Sequence, residues 1–155
     1  YMDALGIKLP RTEVGMTGLL PQHFADEFGW PEMVETVARV YNSLPPEERV
    51  KTAILAGNYG GAGAIDFFGA KMGLPNALSG HQSYFYWGPR GYTGACMIVM
   101  GDRYEVLADK FESVEKVGTV FHPLSMPYQH FDVYLARRPK IGTLPEFWPK
   151  LKNWN

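Results

Sequence analysis

Two stretches hold the residues whose types and spacing could do chemistry. The first is Gly57-Asn58-Tyr59-Gly60-Gly61-Ala62-Gly63, a glycine-rich turn that follows the short apolar run Thr52-Ala53-Ile54-Leu55-Ala56. Where a buried strand ends in such a turn and a helix begins, exposed backbone N–H groups can hold a phosphate or a carboxylate. The spacing narrows that reading. The dinucleotide fingerprint G-x-G-x-x-G fails because Gly61-Ala62-Gly63 leads to Asp66 at the last place. The phosphate loop G-x-x-x-x-G-K-[ST] fails for want of a lysine. Two readings stay open: contact with a ligand, or a tight turn that lets helix and strand pack closely. Asp66 is the one acid near the turn, either a functional group or a solvent-facing helix residue.

The second stretch is His81-Gln82-Ser83-Tyr84-Phe85-Tyr86-Trp87-Gly88-Pro89-Arg90-Gly91-Tyr92. Strand-like alternation over His81 to Trp87 would set Tyr84 and Tyr86 on one face, about 7 Å apart, and Phe85 and Trp87 on the other. Flat rings beside Arg, Gln and His donors suit a sugar, with its apolar C–H face and hydroxyl edges. They suit equally a core strand whose second face meets a helix, with His81 and Gln82 satisfying buried backbone groups. Because the glycine turn leaves the carboxyl end of a strand, where clefts form in α/β folds, the two stretches are expected to meet there. The expected ligand-contact set is Asn58, Tyr59, His81, Gln82, Tyr84, Tyr86 and Arg90, converging at one end of the sheet. Arg90 could pair with an anion in bidentate fashion.

Other chemistry is weakly signalled. The four histidines, His23, His81, His122 and His130, lack a close metal-ligand spacing such as H-x-x-x-H. Cys96 lies within an apolar strand and reads as a packed thiol. No serine stands in a G-x-S-x-G elbow. Neither a metal nor a cofactor is expected.

Composition sets the outer limits. Lys+Arg 15 against Asp+Glu 16 in 155 residues gives a net charge of −1, so no broad basic field exists to hold nucleic acid. A single cysteine excludes an internal disulfide framework and a multi-thiolate zinc site. The longest continuous apolar stretch, Ala95 to Met100, is far shorter than the ~18–20 residues of a membrane span. The chain opens at Tyr1 with no basic-then-apolar leader, which reads as a piece cut from a longer protein.

The elements that must position these residues follow from periodicity and punctuation. Residues 1–21, with Gly6, Pro10, Gly15, Gly18 and Pro21, read as a linker or wrapping arm, and 22–155 as a single α/β domain. Met33, Val34, Val37, Val40, Tyr41 and Leu44 mark the buried stripe of a helix that starts at Pro31 and stops at Pro45-Pro46. Thr52 to Ala56 reads as a buried strand, and a second helix begins near Ala62 and ends at Gly73-Leu74-Pro75. After the strand-like aromatic stretch, Ala95 to Met100 is the clearest buried strand. Asp102 then serves as N-cap for a helix carrying Val106, Leu107, Phe111 and Val114. Val117 to His122 and Val133 to Arg137 supply two more strands, an antiparallel pair, and Pro145 to Leu151 a short terminal helix. This order predicts an α/β domain: a mixed, mostly parallel sheet of about 4–5 strands with helices packed on it in a single layered unit.

Three stretches together carry a resemblance: Leu20-Pro21-Gln22-His23-Phe24-Ala25-Asp26, Asn58 through Gly69, and Ser79-Gly80-His81-Gln82 through Trp87-Gly88-Pro89-Arg90-Gly91. They resemble the C-terminal soluble domain of bacterial integral-membrane glycosyltransferases of the dolichyl-phosphate-mannose protein mannosyltransferase-like group, family 39. The resemblance spans nearly the whole chain, and its second and third stretches are the specific part. It implies an extracytoplasmic domain hung from a multi-helix membrane body of the same polypeptide in the bacterial cell membrane. It also implies transfer of a sugar from a polyprenyl-phosphate donor with inversion, by a catalytic acid that belongs to the membrane body. No residue here matches that acid, so no catalytic residue is carried over. On this reading the domain is inactive alone, and its contact set meets acceptor or carrier glycan. The resemblance would place a polar or acidic residue where Gly61 stands, which moves the expected contacts there to the backbone. Two alternatives remain: a free-standing small α/β domain that binds a nucleotide or phosphate ligand on the Gly57–Gly63 turn, and a structural lid that orders the membrane body.

Overall fold

The computed structural model describes residues 18–154; the expected arm over 1–21 therefore falls largely outside the described residues. Four strands form one mixed sheet in the order β1-β2-β4-β3, so the α/β expectation is met. In chain order the elements are α1 (Gln22–Ala25), α2 (Trp30–Ser43), α3 (Pro46–Arg49), β1 (Thr52–Ala56) and α4 (Tyr59–Phe68). Two 3-10 helices, Gly69–Met72 and Gln82–Trp87, precede β2 (Cys96–Met100). Then come α5 (Tyr104–Lys110), β3 (Phe111–Val120), β4 (Phe131–Pro139), α6 (Leu144–Phe147) and a last 3-10 turn, Trp148–Leu151.

Only β1 and β2 run parallel, paired from Thr52↔Cys96 to Ala56↔Met100. The β3–β4 hairpin is antiparallel as expected, but β4 returns between β2 and β3 and so also meets β2 in antiparallel fashion. The sheet is therefore mixed without being mostly parallel. The reason is the short connection between β3 and β4, which permits a hairpin and leaves no length for a crossover helix.

Alternation along the strands splits the core into two layers. Ile54, Ala56, Ile98, Met100, Val133 and Leu135 face the apolar stripe of α2 and the buried side of α4. Ala53, Met97, Val99, Tyr134 and Ala136 face the other way, onto Leu107 of α5, Leu144 of α6 and Trp148. The chain thus leaves β1 for one face and leaves its parallel neighbour β2 for the opposite face. That divergence makes a topological switch point at their carboxyl ends, where the Gly57 amide donates to the Met100 carbonyl at 3.0 Å.

Four further expectations differ from the structure. The aromatic stretch His81–Trp87 is not a strand: Gln82 to Trp87 form a 3-10 helix. Gln82 starts it with φ 50° and Gly88 closes it with φ 69°, left-handed values that no continuous strand would carry. The helix expected to run through Phe111 and Val114 ends at Lys110, and Phe111 begins β3. Cross-strand ion pairs hold that strand, with Glu112 on Arg138 at 2.6 Å and Lys116 on Asp132 at 2.8 Å. The N-cap of α5 falls on Arg103, one residue beyond Asp102, and α4 starts at Tyr59 rather than near Ala62.

Candidate functional site

The glycine turn becomes the first turn of α4. Asn58 sits at the N-cap in extended backbone, and its side-chain oxygen accepts from the Gly61 amide at 2.9 Å. The Tyr59 amide donates to Nδ1 of His81 at 3.3 Å, and the Ala62 amide reaches the Asn58 carbonyl at 3.2 Å. The helix start is thus met largely by the protein's own groups. It does not offer the array of free amides that a phosphate cradle needs, which weighs against a nucleotide or phosphate reading.

His81 is only 7% exposed and lies ring to ring with Tyr59 at 5.2 Å. With Nδ1 acting as acceptor, the neutral ring carries its proton on Nε2, and that buried atom has no hydrogen-bond partner among the described residues. The backbone around His81 is clasped by the chain's last residues. Asn153 donates its amide to the Gly80 carbonyl at 3.0 Å, and its carbonyl accepts the Gln82 amide at 3.1 Å.

Tyr84 and Tyr86 do not share a face. Three residues per turn set Tyr84 beside Trp87, ring centroids 4.4 Å apart, while Tyr86 points toward the C-terminal segment. The Tyr84 hydroxyl donates to Oδ2 of Asp66 at 3.0 Å, and Oδ1 of the same carboxylate accepts the Ala77 amide at 2.7 Å. Burial, with Asp66 as the next cause, pushes the Tyr84 phenol up to about 12. Asp66 is therefore half-buried and engaged through both oxygens, a clasp that ties α4 to the aromatic turn.

The remaining predicted residues reach solvent. Arg90, at φ 49°, holds its guanidinium 5.2 Å over the Trp87 ring. Tyr86 is 65% exposed and lies 6.5 Å from the ring of Trp154, itself 58% exposed. Lys152 Nζ stands 5.2–5.4 Å from the ring centres of Tyr86, Phe85 and Trp154. The predicted set is thus drawn to one edge of the sheet, where residue 78 bridges β1 at Leu55, but as three adjoining groups. Asn58, Tyr59 and His81 form one, Tyr84 with Arg90 a second, and Gln82 with Tyr86, both against the C-terminal segment, a third. Sequence reasoning missed Trp87, Lys152 and Trp154 as members. The signal was present in Phe147 to Trp154, which repeats the aromatic, basic and acid-free character of residues 82–92.

Other chemistry-bearing side chains are engaged in structure. Ser125 Oγ lies 3.0 Å from His130 Nε2, but the hydroxyl donates to the His122 carbonyl, so the pair is not arranged as a nucleophile and base. The Cys96 thiol is buried, which pushes its pKa up, and it lies 3.3 Å from Glu48 Oε1. An open groove of about 410 Å³ lies beyond β2, between Arg103, Tyr104 and Glu105 on one side and His130 and Asp132 on the other. None of the predicted contact residues lines it. Compared with protein-family models, with curated proteins and with solved structures, the chain matches none.

Proposed function

We propose that this chain is the extracytoplasmic accessory domain of a bacterial membrane glycosyltransferase that takes its sugar from a polyprenyl-phosphate donor, and that it contacts acceptor or carrier glycan without catalysing transfer itself. No helix among the described residues is long and apolar enough to cross a membrane, so a membrane body would have to come from elsewhere in the same polypeptide.

The observation that carries this reading is the assembly of the three resembling stretches around the start of α4. Asn58–Gly69 and Ser79–Gly91 meet through Tyr59 on His81 and Asp66 on Tyr84. The Leu20–Asp26 stretch joins them through Trp30, whose indole N–H donates to the Asp26 carbonyl at 2.6 Å and whose ring lies against Gly60. Segments far apart in sequence thus build one block, and that block presents Tyr59, 52% exposed, and Tyr86 to solvent. Exposed rings flanked by amide and guanidinium donors are the surface a pyranose recognises: C–H groups against the ring face, hydroxyls toward the donors.

The test is calorimetric titration of the chain with short mannose-containing oligosaccharides and with a polyprenyl-phosphate sugar in detergent. Saturable binding that Tyr86→Ala and Arg90→Ala weaken, with the fold intact by circular dichroism, is the expected result. Nucleotide binding with a saturable thermal shift, and none with glycans, would overturn the reading in favour of a phosphate-ligand domain.

A further inference from the structure

We infer that the face built from residues 82–92 and 147–154 docks onto a lipid bilayer surface carrying anionic headgroups. This goes beyond the glycan reading and does not depend on it. Three of the chain's four tryptophans, Trp87, Trp148 and Trp154, lie in these two segments. The segments also hold Arg90, Lys150 and Lys152 and no Asp or Glu, although the whole chain is close to neutral at −1. Structure brings them together: Phe85 stacks on the buried Trp148 at 5.9 Å, and the Trp148 indole donates to the Phe85 carbonyl at 3.0 Å.

With Trp148 as the inner anchor, the outer rings project. Tyr86, Trp87 and Trp154 are 65%, 54% and 58% exposed. Each carries a cation on its face, Lys152 over Tyr86 and Trp154 and Arg90 over Trp87. Amphipathic rings interleaved with Lys and Arg are the composition of the membrane–water interface, where indole and phenol sit at headgroup depth and cations meet phosphate. A second copy of this chain is a poor occupant, since two such faces would oppose cation to cation. The carboxylate that adjoins this face along the chain, Glu146, already accepts from the Thr143 amide and hydroxyl at 2.7 and 2.8 Å.

The experiment is co-flotation of the chain with vesicles of phosphatidylcholine alone or mixed equally with phosphatidylglycerol, neither containing glycan, followed also by tryptophan emission and quenching with brominated lipid. Partition onto the anionic vesicles, with a blue shift and quenching, is expected. So is its weakening by salt. Each surface cation contributes about fivefold to such partition, so the double change Lys150→Glu, Lys152→Glu should lower it by at least about twentyfold. Trp87→Ala with Trp154→Ala should abolish the quenching, circular dichroism confirming the fold of both variants. Absence of partition onto anionic vesicles would overturn the inference. So would partition that is equal on neutral vesicles and unmoved by the lysine changes. A chain that binds oligosaccharide but no vesicle would overturn this inference and leave the glycan reading standing.

Discussion

The carboxylate of Asp66 is shared between the Tyr84 hydroxyl and the Ala77 amide, so one side chain of α4 fixes both the aromatic turn and the segment that bridges β1. Removing one partner leaves the carboxylate half satisfied. Tyr84→Phe is expected to cost about 1 kcal/mol in urea unfolding, and Asp66→Ala about 2–3 kcal/mol because the Ala77 amide then loses its acceptor as well.

The same contact has a pH signature. The Tyr84 phenol, at about 12 in the folded chain, lies above its ordinary value of 10.0. A group raised on folding contributes stability that is fully present below its unfolded pKa and is lost as pH rises through the folded value. Stability should therefore hold through neutral pH and fall between pH 10 and about 12. Tyr84→Phe should remove that part of the alkaline loss, as denaturation midpoints measured across this range will show.

Glu48 predicts an acid counterpart. Its carboxyl lies below the usual carboxylate range chiefly because Arg137 hydrogen-bonds to it, Nε to Oε1 at 2.5 Å. A depressed acid contributes stability that is present above its unfolded pKa and lost as pH falls through the folded one. Unfolding midpoints should therefore drop as pH falls below the ordinary carboxylate value of 4.5, and Arg137→Ala should flatten that drop. At neutral pH Arg137→Ala should cost about 1 kcal/mol, since both side chains are partly solvated and screened. Burial keeps the neighbouring Cys96 a neutral thiol, so labelling by a maleimide should follow unfolding.

Two glycines separate close approach from spare room. A Cβ at Gly80 would overlap the Leu151 carbonyl, which is backbone and cannot step aside. Gly80→Ala should detach the C-terminal segment, seen as a red shift of tryptophan emission and a loss of roughly 3 kcal/mol or more. At Gly61, in contrast, a Cβ would make ordinary contacts with Ala56, Asn58 and Met33 at 3.5–3.9 Å. Gly61→Ala should stabilise by about 0.5–1 kcal/mol through helix propensity.

How far the sequence was legible depended on periodicity. The stripe of α2, the run of β1 and the run of β2 each carry one dominant period, and each formed where expected. The aromatic stretch carries none, because Tyr84, Phe85, Tyr86 and Trp87 are all large rings and no polar residue marks an outer face. Its 3-10 course is set by tertiary bonds, the Gln82 amide to Asn153 and Trp148 to Phe85, between segments some sixty to seventy residues apart. The helix predicted through Val114 failed for a related reason, since the partners of Glu112 and Glu115 lie on β4. At the site, chain order brought Tyr59 to His81, but the role of Asp66 needed a contact that spacing alone does not reveal.

The most direct measurement is sugar transfer from a radiolabelled polyprenyl-phosphate donor, made on the whole polypeptide that carries this sequence and on this chain by itself. Transfer by the whole polypeptide, reduced by Tyr86→Ala and Arg90→Ala, and none by the chain alone is the expected result. Transfer catalysed by the isolated chain, or a whole polypeptide with no membrane-spanning body and no transfer, would contradict it.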